Sequence, residues 1–90
     1  MDIEEQFIYA LRSKKRTRVL MFLASAGPAF NSEIADMLLF SPHVVTSATK
    51  QLLDYGLLDY DKCGNTRLYK VTARGREVYK LMRDHFGLDK

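Results

Sequence analysis

Apolar residues recur at helical spacing over five stretches of the chain, interrupted once by two short runs rich in Leu, Tyr and Val. Ile3, Phe7, Ile8 and Leu11 give the first amphipathic stripe, which predicts an N-terminal helix over 1–12. Ser13 is placed to cap a second helix that ends at Gly27-Pro28. Within it, Val19, Leu20, Met21, Phe22 and Leu23 are apolar on every side. Such a helix is buried all round, or buried on one face and docked to a partner on the other. Asn31 is placed to cap a third helix with Ile34, Ala35 and Leu38 inward, and Glu33 suits its positive end. Ser41 is placed to cap a fourth, with Pro42 at its first position and Val45, Ala48, Thr49 and Leu52 sharing a face. Only a few residues join these two helices, the layout of a helix-turn-helix.

Gly56 stops the fourth helix. The runs on either side of Gly64-Asn65 then predict a hairpin over 57–71. Thr72 is placed to cap a last helix over 72–87, with Val78, Tyr79, Leu81, Met82 and Phe86 apolar. The sequence-based expectation is one domain over 1–90, mainly α with a small β-hairpin (α+β). Three core helices occupy 13–55, and a helix is added at each end. Repeats, linkers and low-complexity segments are lacking.

Composition narrows the function. At 90 residues with 47% apolar content, the chain is sized for one globular domain. No apolar run approaches the roughly 18 residues of a membrane span. The acidic start Met1-Asp2-Ile3-Glu4-Glu5 is unlike a signal peptide, so the expected location is cytoplasmic. One cysteine excludes an internal disulfide framework. Cys63, His43 and His85 stand apart in sequence, which argues against a metal site. No carboxylate pair is set into a glycine-rich or apolar pocket, no nucleophile stands with its base and no glycine loop can cradle a phosphate, so no enzyme and no cofactor are expected.

The net charge of +3 says little, but its distribution says more. Arg12, Lys14, Lys15, Arg16 and Arg18 form one acid-free block, and Lys62, Arg67, Lys70, Arg74 and Arg76 form another. A single run of this kind is usually a solvated face; two on a balanced chain resemble an electrostatic footprint for nucleic acid. Lys14 and Lys15, and likewise Arg74, fall in first turns, where the helix dipole disfavours cations by a few tenths of a kcal/mol. Such ends prefer anions, so a DNA phosphate is a candidate ligand there. The competing account is ion pairing of the arginines with Glu4, Glu5 or Asp36.

Arg16-Thr17-Arg18-Val19-Leu20-Met21-Phe22-Leu23 resembles the R-x-R-I-L-x-x-L of the first core helix in ArsR/MarR-like winged-helix transcriptional regulators. Glu33-Ile34-Ala35-Asp36-Met37-Leu38 resembles their E-L-A-x-x-L. Ser41 through Leu58 is similar to their recognition helix, and Arg67 through Gly75 to the R-x-Y-x-L-T-x-x-G closing their wing. The resemblance covers roughly residues 12–80. It implies double-stranded DNA binding, with a recognition helix in the major groove and a wing on the backbone. The sequence departs from the pattern at Leu39, where glycine is frequent, at Thr49, a usually apolar position, and in carrying only Lys50 as a cation on the recognition helix.

With Val45, Thr49 and Leu52 inward, His43, Val44, Thr46, Ser47 and Lys50 are the candidate DNA contacts of that helix, and Lys62, Arg67 and Lys70 those of the wing. Arg67 is the strongest single candidate; Lys70 is the one whose side chain has the alternative of facing solvent. With no arginine on the helix for a bidentate contact to guanine, direct readout is expected to be modest. Relatives mostly dimerise through terminal helices. The resemblance therefore implies a homodimer interface from Ile3, Phe7, Ile8, Leu11, Val78, Leu81, Met82 and Phe86; mutual cover within one chain is the alternative. Gly75 implies close packing on the hairpin, and Cys63 an incidental thiol at the wing tip. Two other functions fit the pattern: a protein-interaction module and a sequence-neutral architectural DNA binder. An effector ligand, its chemistry unknown, would have to bind at the dimer interface or between the terminal helices.

Overall fold

Hydrogen-bonding side chains start most of the helices in the computed structural model, which describes residues 2–87. The expected spans 1–12 and 1–90 therefore include residues outside that range. The helix α1 (Ile3–Leu11) begins on Asp2, whose carboxylate accepts from the Glu5 amide at 2.9 Å. Ser13 caps α2 (Lys14–Ala26), which ends at Gly27 with φ of 94°. A short strand, β1 (Ala29–Phe30), precedes α3 (Asn31–Leu38). Ser41 caps α4 (Pro42–Asp54), with Pro42 in its first turn. The strands β2 (Leu58–Cys63) and β3 (Thr66–Val71) form the hairpin, and Thr72 caps α5 (Ala73–Phe86). Each such cap stabilises its helix by about 1 kcal/mol.

Two expectations need correction. Phe30, not Asn31, flanks α3, and Asn31 is the first helical residue. The Glu33 carboxylate accepts from the Phe30 amide at 2.8 Å, so a helix-end donor is satisfied without asparagine as cap. The sheet has three strands, in the order β1-β3-β2, because Ala29 and Phe30 pair antiparallel with Tyr69 and Leu68. Two residues are too few to display alternation, so periodicity could not reveal β1.

The core is centred on α2, which packs against α1, α3, α4, α5 and β3. Leu20, Leu23, Ile34, Val45, Leu52, Leu57, Val78 and Met82 are almost wholly buried. A fully buried side chain of this kind contributes about 1.5–3 kcal/mol. Thr49 is buried as well, and its hydroxyl donates to the Val45 carbonyl at 2.9 Å. That internal bond explains how a polar residue occupies an apolar position. The Thr17 hydroxyl donates to the Ala10 carbonyl at 2.9 Å and fastens α1 to α2.

Packing of α1 on α5 also corrects the expected dimer surface. Val78 and Met82 are completely buried within the chain, so they belong to its core. Ile3, Phe7 and Leu11 are half-buried against that core. Ile8, Leu81 and Phe86 remain exposed. Mutual cover within one chain thus accounts for much of both apolar stripes. Among the described residues, no helix is long and apolar enough to cross a membrane.

Candidate nucleic-acid interface

The exposed side of α4 carries His43, Thr46, Ser47 and Lys50, with Val44 half-buried beside them. A hollow flanks α4 on either side. The first, of about 320 Å³, separates α4 from the start of α2; His43, Val44, Ser47 and Gln51 face Ser13, Lys15 and Arg16 across it. The second, of about 400 Å³, separates α4 from the hairpin; Thr46 faces Asn65, Thr66 and Arg67, with Asn31 and Ser32 at the start of α3 beneath. Residues of the two basic blocks therefore stand on opposite sides of one polar helix face.

Strand register sorts the wing cations. Lys62 pairs with Arg67 and Tyr60 with Tyr69, so these four share one face of the hairpin. The Arg67 guanidinium lies 4.3 Å from the centre of the Tyr60 ring and donates to the Tyr69 hydroxyl at 3.5 Å. The bond to Tyr69, then the charge interaction with Tyr60, holds its pKa above the usual arginine value. Lys70 falls on the opposite face, where it pairs with Asp61 at 3.1 Å. The turn needs glycine for its backbone: Gly64 has φ of +60°, and an added Cβ would meet nothing within 4 Å.

The other first-turn cations divide too. Lys15 lines the hollow beside α4, whereas Lys14 lines a separate hollow with Leu11, His85 and Phe86. Arg74 donates to Gln6 Oε1 at 2.9 Å and lies 4.0 Å from Glu77, engaged with α1 and its own helix. The structure thus brings together His43, Val44, Ser47 and Lys15 on one side of α4 and Thr46 and Arg67 on the other. Lys50 and Lys62 are exposed on α4 and the wing. Lys14, Lys70 and Arg74 are placed elsewhere.

Arg16 is neither a phosphate ligand in waiting nor a partner of Glu4, Glu5 or Asp36. Its guanidinium donates twice to the Tyr9 carbonyl, at 3.1 and 2.7 Å, and once to Gln51 Oε1 at 2.9 Å. It also lies 3.9 Å from the centre of the Tyr9 ring, which stacks on Tyr55 at 3.4 Å. Gln51 Nε2 in turn donates to Ser47 Oγ at 3.4 Å. Arg18 sits over the Phe40 ring at 5.2 Å.

Sequence reasoning passed over Gln51 and Asn31. Gln51 was detectable, lying four residues after Ser47 and hence beside it on the helix. Asn31 gave no distinguishing signal, because an asparagine at a helix start reads as a cap. Its Oδ1 is buried without a hydrogen-bond partner in the floor of the wing-side hollow, where an incoming donor would satisfy it. Cys63 is exposed at the end of β2. Among the described residues, no three His, Cys, Asp or Glu side chains gather to hold a metal ion.

No family model matches the chain, and no curated protein matches it by sequence. Solved structures do. A variant of ZitR from Lactococcus lactis is 28% identical with a TM-score of 0.76, over 83% of this chain and 53% of that one. The chain therefore spans about half the length of ZitR. A MarR family regulator from Neisseria meningitidis is 19% identical with a TM-score of 0.76, over 89% and 59% of the two chains. TubR from Bacillus thuringiensis serovar israelensis, solved bound to 24 bp of tubC, is 18% identical with a TM-score of 0.80, over 94% and 96%. These neighbours are winged-helix transcriptional regulators of the MarR/ArsR type, and the five helices and small sheet are arranged as in them.

Proposed function

On a winged-helix fold of the MarR/ArsR type, we propose that this chain is a small transcriptional regulator that binds double-stranded DNA by sequence. In this reading α4 enters the major groove and the hairpin lies on a phosphate backbone. The observation that carries it is the placement of cations on both sides of α4: Lys15 on one side, Arg67 and Lys62 on the other. A helix flanked in this way meets base edges while its neighbours neutralise the phosphates that border the groove. His43, Ser47, Thr46 and Lys50 supply hydrogen bonds, and Val44 an apolar contact for a thymine methyl. TubR, with a similar fold over nearly its whole length, was solved on DNA, which supports the same ligand class here.

Two copies joined through exposed Ile8 and Leu81 would present two such helices to successive major grooves, about 34 Å apart. Selection from a random duplex pool tests the reading: enrichment of a palindromic motif is expected. One observation favours a second reading. α4 has a single cation and no arginine, which suits a sequence-neutral architectural binder. In that case the pool would return unenriched, although binding would still weaken steeply with salt. Failure to bind any duplex would leave the fold as a protein-interaction module.

A further inference from the structure

DNA binding leaves unexplained a groove that none of the candidate DNA contacts lines. Along the junction of α2, α3 and α5 runs an open groove of about 400 Å³, with Met21, Phe22, Leu38 and Tyr79 as its floor and Arg18 and Ser25 at its edge. The second helix looked apolar on every side in the sequence, and this groove is the side its own chain leaves half open.

Arg18 is the charged residue that lines the groove itself. Arg76, Lys80 and Arg83 recur at i, i+4 and i+7 on α5, the helix that brings Tyr79 to its floor. Arg83 sits over the Tyr79 ring at 5.6 Å, and Arg76 donates to the Ala24 carbonyl of α2 at 3.4 Å. Arg18 rests over Phe40. The α5 acids Glu77 and Asp84 stand three residues before and four residues after Lys80, beside it on the helix, and Glu77 also lies 4.0 Å from Arg74. A guanidinium laid on an aromatic ring, as that of Arg18 is on Phe40, loses less freedom when it meets a carboxylate.

We propose that this groove is the docking site for an acidic amphipathic helix of a partner protein. Apolar residues at helical spacing on the partner would lie on Met21, Phe22, Leu38 and Tyr79, and its carboxylates would meet Arg18, Arg76 and Lys80. Duplex DNA offers nothing to an apolar floor. A second copy joined through Ile8 and Leu81 leaves the groove open, because Leu81 shares its side of α5 with His85, whose ring meets Phe7 of α1.

The test is a titration of a fluorescein-labelled peptide of about 18 residues, with Leu at helical spacing and Glu or Ala elsewhere, against the whole protein. A scrambled peptide of the same composition is the control. At physiological salt the patterned peptide should bind saturably and the scramble at least about tenfold more weakly. R18E and K80E reverse the charge of exposed side chains, so the fold should survive, as checked by thermal melts. Each should weaken the patterned peptide at least about tenfold, as should Y79S. Equal binding of the two peptides, or undiminished binding by R18E and K80E, would overturn the proposal. So would a shift of R18E towards monomer in light scattering, which would give the groove to a second copy. Loss of duplex binding by K80E with peptide binding intact would assign the surface to DNA instead.

Discussion

Single residues here carry strain and packing whose effects are measurable. Leu39 adopts the left-handed conformation, φ 59° and ψ 38°, and the residue is 90% exposed. An L-residue in that region is disfavoured by roughly 1–2 kcal/mol, and an exposed leucine recovers little through burial. L39G should therefore stabilise the protein by about 1 kcal/mol, less the entropy glycine gives the unfolded chain. The urea midpoint should rise, and an unchanged or lower midpoint would show that Leu39 is not strained. Gly75 is the opposite case. A Cβ there would strike the Leu57 carbonyl oxygen and come within 2.7 Å of Val71 Cγ1. Since the Leu57 carbonyl also accepts from the Thr72 amide, it cannot retreat freely. G75A should cost about 1–3 kcal/mol, visible as a lower melting temperature.

At the level of elements, the cations separate by strand register and helix side rather than by sequence block. R67A should weaken duplex binding and reduce the salt slope by about one, whereas K70A should leave both nearly unchanged. K15A should behave like R67A, and K14A like K70A; equal effects within either pair would contradict the placement of these side chains. The blocks themselves were legible in the sequence, as were the helix boundaries set by Ser13, Ser41 and Thr72. Which member of a block faces α4 was not. Lys14 and Lys15 are adjacent, and only the packing of α2 between α4 and α5 sends them into different hollows. Arg67 and Lys70 differ by an odd number of residues, so alternation predicted opposite faces, but not that Asp61 would engage Lys70. Strand β1 was illegible for a different reason: β3 imposes its pairing, with no pattern in Ala29 and Phe30 to announce it.

At the level of the whole molecule, burial separates residues that hold the chain together from those free to hold a second copy. I8E combined with L81E should shift the protein to monomer in light scattering while preserving its helical circular dichroism. M82E should instead unfold it, because a charge in the sealed core lacks both water and a partner. A monomer at high micromolar concentration for the unaltered protein would dismiss the two-fold arrangement. Arg16 gives that arrangement a thermodynamic consequence. One guanidinium holds the Tyr9 carbonyl of α1 and the Gln51 side chain of α4, and Gln51 reaches Ser47 on the exposed face of α4. If α1 joins two copies and α4 meets DNA, the two equilibria share this joint and become linked functions. Linkage is reciprocal: whatever factor pairing adds to the affinity for an operator, the operator returns to the pairing.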